Sequence, residues 1–214
     1  MQQRQFKDTM TGSYITLKRL NEDHIPDLRN AALSQDIWRF NRSDRHPIDK
    51  FLDHYFIELN KARLNNTQVP YVVIQNNHSE GMKPDETSGV SRRPKNKIIG
   101  SSRFYDISFF DKRLAIGFTW YHPSMWGTKV NPETKLLLLQ FVFEELKFNR
   151  VEFHIDSRNQ RSINAVKKLG AKQEGILRKH KIVQGDFVRD TVVCSIINSE
   201  WDKVKNGLLD RLSG

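Results

Sequence analysis

The sequence predicts an α+β protein in which helices flank a mixed, mostly antiparallel central sheet. Two strand-like segments, 114–121 and 151–156, enclose a long apolar helix at 132–148. A strand–helix–strand unit favours a parallel strand pair joined by a right-handed crossover. The strands before and after this unit are separated by short turns, which favour antiparallel hairpins. The sheet is therefore mixed, and the other helices are expected on its faces.

The first predicted elements are one strand and two helices. Residues 14–20 alternate between apolar and polar side chains, as a half-buried strand does. Asn21 is a suitable cap for a short helix at 23–33, and a second helix is predicted at 47–64. The inward-facing residues predicted for the second helix are Phe51, Tyr55, Ile57 and Leu59.

Strand signals resume at 71–74, which is rich in β-branched residues. Between 76 and 97 apolar residues almost vanish, so this basic stretch is predicted to be a mobile insertion. Strands follow at 97–105 and 114–121, with a turn at 111–113 between them.

The second half of the chain contains the long helix and the elements that follow it. After the strand at 151–156, a shorter helix is predicted at 160–169 and is closed by Gly170, since glycine accepts the left-handed conformation at a helix end. The last elements are two strands and an amphipathic helix, predicted at 175–182, 188–197 and 199–212.

The composition favours a globular protein of a reducing compartment. A length of 214 residues suits a single domain, here predicted over 1–214, and the one cysteine, Cys194, allows no internal disulfide. The first eight residues lack the apolar segment of a secretory signal, and the most apolar run, 136–143, is too short to span a bilayer. We therefore expect a cytoplasmic protein with no membrane partner.

The formal net charge of +10 indicates an anionic partner or a solvated basic surface. Excess positive charge raises the local concentration of anions. The anion would be nucleic acid, an acidic protein or a phosphate-rich cofactor. No metal site is expected, because the seven histidines lack ligand spacing and one cysteine is too few for a zinc cage.

The segment before the long helix is a candidate anion site. Asn131 suits the N-cap and Pro132 the first helical position. A rigid helix start presents unpaired N–H groups and the positive end of a dipole. Gly127 allows close approach to the backbone, Thr128 adds a hydroxyl and Lys129 adds a charge, so the segment can hold a pyrophosphate. The same residues also fit an ordinary capped helix.

A second polar segment follows the strand at 151–156. Asn159 and Ser162 lie on nearly the same face of the helix that begins there. Lys167 and Lys168 occupy its last turn, where the helix dipole favours cations. Each of these residues, taken alone, is also explained by helix capping.

Together, the two segments resemble the GNAT superfamily of N-acetyltransferases, over about residues 14–201. Within it, the chain looks closest to the branch of ribosomal-protein N-terminal acetyltransferases. The residues that carry this resemblance are Trp126, Gly127, Thr128, Val130 and Asn131, the Leu-rich helix, Asn149 to Phe153, Asn159 to Gly170, and Glu174 to His180.

The resemblance implies an enzyme that transfers an acetyl group from acetyl-CoA to a primary amine in a ternary complex. Two parallel strands, ending near Trp120 and Tyr121 and near Asp156, would splay and bind the pantetheine arm like an added strand. The pyrophosphate would lie on the amides from Gly127 through Thr128, Lys129 and Val130 to Asn131. Asn159 would contact the cofactor, and Arg161 or Lys168 would reach its phosphates.

Two departures from the family pattern affect the chemistry. Lys129 stands where a second glycine is usual, so its ammonium either helps or hinders phosphate binding. Val166 stands where many relatives carry a tyrosine that protonates the leaving thiolate. The acid is therefore unassigned, and Ser162 or water is the nearest replacement.

The acceptor amine must lose a proton, so a base or a water chain is required. Alternation places Glu152, His154 and Asp156 on one face of their strand, with Asp156 nearest the expected gap. Asp156 or Glu174 is the hypothetical base, and each is also explained as a structural carboxylate. His154 is interpreted as a sheet-face residue.

The acceptor is predicted to be a protein N-terminus or a small amine. A second enzymatic alternative is acetylation of an antibiotic or a polyamine, and the polyamine ranks lower because the basic chain would repel it. The non-enzymatic alternative is a catalytically weak protein of the same fold that binds RNA or the ribosome. The residues that motivate it are the basic loop residues Lys83, Arg92, Arg93, Lys95 and Lys97.

Overall fold

The computed structural model describes residues 5–40, 47–76, 97–183 and 187–214. These residues form one eight-stranded sheet in the order β1-β2-β3-β4-β5-β6-β8-β7. The predicted basic insertion, apart from its ends, lies outside the described residues. The strands are β1 (Thr9–Thr11), β2 (Ile15–Arg19), β3 (Gln68–Gln75), β4 (Ile98–Ser108), β5 (Arg113–Tyr121), β6 (Arg150–Asp156), β7 (Lys172–Val183) and β8 (Phe187–Ile197).

All neighbouring strands are antiparallel except β5 and β6. The described residues form five α-helices: α1 (Ile25–Ala31), α2 (Ile48–Leu64), α3 (Val130–Gln140), α4 (Gln160–Lys168) and α5 (Trp201–Ser213). A π-helical turn, Phe141–Glu145, extends α3. The predicted fold class, a mostly antiparallel mixed sheet with one parallel pair and flanking helices, is confirmed.

The helices divide between the two faces of the sheet because each face presents its own apolar set. On one face, Leu114, Ile116 and Phe153 pack with α3, α4 and α5 in the larger core cluster. On the other face, Val72 and Trp120 pack with α1 and α2 in a smaller cluster. We call these the α3 face and the α2 face. Alternation along β6 places Glu152, His154 and Asp156 on the α2 face, opposite the side chains that belong to the larger cluster.

A bulge in β5 changes which residues face α3. Ser101 pairs with Trp120 but Arg103 pairs with Gly117, so β5 has one more residue here than β4. Phe118, in this bulge, has a φ of 49°. After the bulge, Trp120 packs with the α2 cluster and Tyr121 with the α3 cluster.

Most predicted elements are present, with three differences. The structure adds β1, a strand of three residues that is too short to show periodicity. In α2 the buried residues are Phe51, Leu52, Phe56 and Leu59, and Ile57 is 53% exposed, so the predicted inward face was rotated. The long helix begins at Val130 rather than Pro132, and Asn131 is not its N-cap.

The helix begins earlier, with Lys129 at the N-cap position and no capping hydrogen bond from that side chain. Thr128 precedes the N-cap. Its Oγ1 accepts a hydrogen bond from the Val130 N–H at 3.3 Å. Pro132 then lies in the first turn, where a missing N–H costs nothing. Asn131 is free of the capping role and its Oδ1 accepts a hydrogen bond from the Tyr121 hydroxyl at 3.1 Å.

Candidate functional site

The parallel pair β5 and β6 opens into a gap. Pairing is limited to Arg113 with Arg150, Leu114 with Val151 and Ala115 with Glu152. Beyond these three positions β5 continues to Tyr121 and β6 to Asp156. Strand backbone that faces such a gap has free N–H and C=O groups, which an extended ligand can bind as an added strand. The gap lies where the sequence predicts it.

The loop between β5 and α3 lies beyond the open end of β5 and presents unpaired amides. The N–H groups of Gly127, Thr128, Lys129 and Asn131 have no acceptor among the described residues. Gly127 has a φ of 76°, and a Cβ added there would meet nothing within 4 Å, so space in front of the loop is open. Four unpaired amides at the start of an eleven-residue helix form an anion-binding arrangement.

The side chain of Lys129 is directed away from this arrangement. Its Nζ donates to the Leu212 carbonyl at 2.8 Å and to the Tyr14 hydroxyl at 3.1 Å. The ammonium therefore neutralises the C-terminal end of α5, where the helix dipole attracts cations. The predicted role of Lys129 in phosphate binding is limited to its backbone amide.

Helix α4 adds a positive group beside the same loop. The Arg161 guanidinium lies 3.9 Å from the ring centre of Trp126, a stacking contact between α4 and the loop. Trp126 is itself fixed by a hydrogen bond from its Nε1 to the Tyr121 carbonyl at 3.1 Å. Arg161 therefore lies beside the loop that carries the unpaired amides, and its contact with phosphates stays a prediction. Lys168 lies at the opposite end of α4, about 10 Å from Arg161 along the helix axis.

Asn159 and Ser162 form the start of α4. The Asn159 Oδ1 accepts a hydrogen bond from the Ser162 N–H at 3.1 Å, so Asn159 is the N-cap. Ser162 is partly buried, whereas Val166 is buried in the larger core cluster with Ile163. Valine at this position packs against the core and offers no proton donor.

Lys135 is a buried ammonium on the α3 face of the gap, and the sequence analysis missed it. Its Nζ donates to the Thr119 Oγ1 at 2.9 Å and lies 5.8 Å from the ring centre of Phe153. Thr119 belongs to β5 and Phe153 to β6, so Lys135 reaches the gap between the two strands. Burial without a carboxylate partner lowers the pKa of Lys135 to about 7. The sequence does not single out Lys135, because a lysine in a helix is usually exposed, and only its burial in the structure reveals it.

Trp120 and Tyr121 close the β5 side of the gap. Trp120 is buried in the α2 cluster, and its Nε1 donates to the Tyr55 hydroxyl at 2.9 Å. Burial raises the pKa of Tyr121, whose hydroxyl contacts Asn131 in α3. These side-chain contacts hold the end of β5 in place. A cofactor would therefore contact the backbone of Trp120 and Tyr121 rather than their side chains.

The two predicted carboxylates occupy different places. Asp156 lies at the open end of β6 and binds Arg158 through both oxygens, at 2.8 and 3.0 Å. Burial opposes ionisation of Asp156, but the hydrogen bonds from Arg158 outweigh it and lower its pKa. Glu174 binds Arg150 and the Ser195 hydroxyl, and the Arg150 contact lowers its pKa to about 2. Ser195 lies opposite Glu152, the last paired position of β6, so the Glu174 carboxylate lies about 13 Å along the strand from the open end at Asp156.

A histidine–carboxylate pair lies on the α2 face of the gap. The His154 Nε2 lies 2.8 Å from the Glu152 Oε2. The Tyr105 ring reaches it from β4, with its centre 6.0 Å from that of His154. Tyr105 crosses β5 at Gly117, where an added Cβ would come within 2.7 Å of the tyrosine ring. Burial raises the pKa of Tyr105, so its hydroxyl stays protonated at neutral pH. The sequence analysis assigned His154 to the sheet face and did not single out Glu152 or Tyr105 as partners.

The described ranges contain no group of three or more His, Cys, Asp or Glu residues that could hold a metal ion. No helix in the same ranges is both long and apolar enough to cross a membrane.

Comparison with known proteins identifies the same fold and chemistry. The family model of the acetyltransferase (GNAT) domain matches residues 15–172. YjcK of Bacillus subtilis (strain 168), named a probable N-acetyltransferase, is 25% identical over 150 residues, which are 69% of this chain and 76% of YjcK. The uncharacterised N-acetyltransferase p20 of Bacillus licheniformis is 27% identical over 105 residues, 49% of this chain, and the match spans 58% of p20.

A solved structure assigned as an acetyltransferase superposes with a TM-score of 0.79 at 27% identity, covering 98% of this chain and 96% of that one. The predictions of a GNAT fold and of an enzyme in the N-acetyltransferase class are confirmed at this level. The ribosomal-protein branch stays a prediction. The chain belongs to the acetyltransferase (GNAT) domain family.

Proposed function

We propose that the protein transfers an acetyl group from acetyl-CoA to a primary amine, by direct attack of the amine on the thioester in a ternary complex. The observation that carries this proposal is the gap between β5 and β6, which leads to the unpaired amides of the loop before α3. An extended ligand arm would fit the gap, and a diphosphate at its end would fit the unpaired amides. Family membership supports the same donor, because acetyltransferases of this family use acetyl-CoA.

In this proposal the backbone binds most of the cofactor. The pantetheine arm hydrogen bonds to the free edges of β5, near Trp120 and Tyr121, and of β6. The pyrophosphate accepts hydrogen bonds from the amides of Gly127, Thr128 and Lys129 and from the start of α3 at Val130 and Asn131. Arg161 supplies a positive charge beside the phosphates. Asn159 and Ser162 border the site at the start of α4, and Lys168 is the most remote of the proposed contacts.

The acceptor amine is proposed to enter from the α2 face, because α3, α4 and α5 cover the other face. Asp156 lies at the gap and is ionised, so it can accept the amine proton through water. The position of Glu174 at the paired end of β6 argues against a direct role for it. The His154–Glu152 pair lies on the entry face and is a second candidate for deprotonation.

The leaving thiolate requires a proton after the carbon–sulfur bond breaks. Ser162 is one proposed donor, since it borders the gap at the start of α4. Lys135 is a second, because its ammonium lies between β5 and β6 and its pKa of about 7 allows it to give up a proton at neutral pH.

The acceptor is proposed to be a protein N-terminus or a small amine. The resemblance to ribosomal-protein acetyltransferases favours a protein N-terminus, with the ribosome as the accompanying partner. The formal net charge of +10 disfavours polyamines. We propose that residues 1–214 form one domain.

The function is tested by thermal unfolding with CoA and acetyl-CoA, followed by thiol release against a panel of amines and N-terminal peptides. Ligand at 100 times its Kd should stabilise the native protein by about 2.7 kcal/mol. Gly127→Val should abolish this stabilisation, since valine is strained at a φ of 76° and fills the space before the loop. Gly207→Ala, in α5 and in open space, is the matched control.

Within that assay, Asp156→Asn and His154→Gln separate the two candidates for deprotonation by their pH–rate profiles. Unchanged turnover across neutral pH removes the altered residue. The absence of any CoA response, combined with salt-sensitive RNA binding, would replace the proposal by the non-enzymatic alternative.

A further inference from the structure

Arg103, in β4, is a buried guanidinium whose donors are only partly used. Its exposed fraction is 3%. Its Nη1 donates to the Gln68 Oε1 at 2.9 Å, but Nε and Nη2 have no hydrogen-bond partner among the described residues. Buried donors of a charged group without acceptors are costly. The arrangement therefore calls for an acceptor that the folded chain does not itself provide in these ranges.

The surroundings of Arg103 form a slot between two aromatic rings. The guanidinium carbon lies 4.4 Å from the ring centre of Phe118 and 5.0 Å from that of Tyr55. No described carboxylate forms a salt bridge with it. A planar cation held between rings, with an Nε and an Nη free, presents the fork that binds a carboxylate through both oxygens.

The slot opens on the side from which the amine is proposed to enter. Arg103 pairs with Gly117 in β5, so it lies one strand from the gap, about 5 Å across the sheet. Tyr55 belongs to α2, which places the slot on the α2 face, opposite Lys135 and α3. Phe118 forms its outer wall. Phe118 is 48% exposed, lies in the bulge and belongs to neither core cluster. Access of a carboxylate to the buried guanidinium requires this ring to move aside.

We propose that Arg103 binds a carboxylate carried by the acceptor, so that the substrates are amines with a carboxylate a few bonds from the nitrogen. This inference rests on the proposed function. The carboxylate has two chemical sources: the α-carboxylate of a free amino acid, or an acidic side chain close to a peptide N-terminus. Both present the same group to the guanidinium, and the experiment separates them.

The test measures binding and turnover for matched pairs that differ only in the charge of one group. The first pair is a free amino acid and its amide, and the second is the peptide amides Ala-Asp-Phe and Ala-Asn-Phe. Binding is measured by calorimetry with CoA present, and turnover by thiol release from acetyl-CoA. The carboxylate member of at least one pair should bind and react at least about tenfold better, as expected for hydrogen bonds to a charged group. The pair that shows the difference identifies the source.

Three variants locate the effect. Arg103→Met keeps a long side chain between Tyr55 and Phe118 and should reduce the ratio within the pair to near one through KM, with stabilisation by CoA unchanged. Arg103→Lys keeps the charge and should retain part of the preference. Arg63→Met removes one guanidinium from the exposed end of α2 and should leave the ratio unchanged.

The possible results are distinct. Turnover of amines without preference for the carboxylate member overturns the inference and leaves the proposed function intact. Failure of CoA to bind overturns the proposed function, while calorimetry still reports whether carboxylate compounds bind at Arg103. A preference that persists in Arg103→Met also overturns the inference. If Arg103→Met does not fold, Phe118→Leu serves as the second variant, and it should change the ratio because Phe118 forms one wall of the slot.

Discussion

At the scale of single residues, the two buried cations lie on opposite faces of the same strand. Lys135 approaches β5 from α3 through Thr119, and Arg103 approaches the bulge from the face of α2. Both ammonium and guanidinium are expensive to bury without a carboxylate. Because no such partner contacts either one in the described ranges, we attribute both to binding or chemistry rather than to folding.

Lys135→Met should change how stability depends on pH. The pKa of Lys135 is lowered to about 7 in the native state, whereas the unfolded chain holds this proton up to the ordinary lysine pKa of 10.5. The unfolded state therefore binds more protons between these values, and native stability should rise with pH by up to about 1.4 kcal/mol per unit. The Met variant should lack this rise and exceed the unaltered protein in stability at pH 6.

Urea unfolding between pH 6 and 9 measures the difference between the two proteins. Lys61→Met removes an exposed lysine, paired with Glu58, and should run parallel to the unaltered protein. Parallel curves for Lys135→Met would show that the buried ammonium does not titrate in this range.

At this scale, the sequence predicts sites formed by backbone groups better than it predicts the contacts of side chains. Gly127 and Asn159 have local roles that spacing reveals. The side chain of Lys129 does not face the loop of unpaired amides, because its ammonium donates to the carbonyl of Leu212. Sequence patterns do not reveal this partner, which is 83 residues away. Arg103 and Lys135 were not predicted, since a cation in a strand or helix is usually exposed and burial depends on contacts distant in sequence.

At the scale of elements, α3 is the part that holds the site in place. Its Glu133 is buried and accepts hydrogen bonds from the N–H groups of Ser13, Tyr14 and Ile15, each at 2.7 Å. The first turn of α3 is thereby fixed to the start of β2. Since the unpaired amides precede this same turn, the contact also fixes the proposed phosphate site.

Glu133→Ala should destabilise the protein by about 3 kcal/mol, because one buried and two partly buried N–H groups would lose a charged acceptor. Urea unfolding at neutral pH measures the loss. Glu145→Ala, which breaks an exposed pair with Lys7, should cost less than about 1 kcal/mol. Equal effects of the two changes would contradict the structural role assigned to Glu133.

The order of the elements could be predicted well, because the strand and helix periods differ clearly along this chain. The start of α3 could not, because Asn131 and Pro132 match the usual cap pattern, whereas the N-cap in the structure is Lys129, whose side chain makes no capping hydrogen bond. The inward face of α2 was also misjudged, since Phe, Tyr and Ile occur around the helix and only packing selects among them. The strand–helix–strand order predicts that β5 and β6 are parallel. It does not predict that they pair at only three positions, because this depends on how the strands pack in the folded protein.

At the scale of the whole molecule, the net positive charge favours binding of the proposed acetyl donor. The chain carries a formal net charge of +10, and the cofactor proposed here is an anion with several phosphates. Such a charge speeds and strengthens the binding of anions from a distance, and salt screens it.

The KM for acetyl-CoA should therefore rise several-fold between 50 and 300 mM salt, with a smaller change in kcat. Initial rates with a neutral acceptor at saturating concentration measure this. Arg161→Gln should raise the KM and weaken its salt dependence, because Arg161 is the cation beside the phosphate loop. Arg113→Gln, at the paired end of β5, serves as the control. A KM that does not change with salt would mean that only the backbone amides bind the phosphates.

The limited pairing of β5 with β6 also bears on the end of the catalytic cycle. If the pantetheine arm occupies the gap, its bonds to the two strands are the same before and after the acetyl group leaves, since the reaction alters only the sulfur. Spent CoA is then held as firmly as the donor. Departure of that product, rather than the chemical step, would limit the rate, and accumulated CoA would inhibit the enzyme in competition with acetyl-CoA.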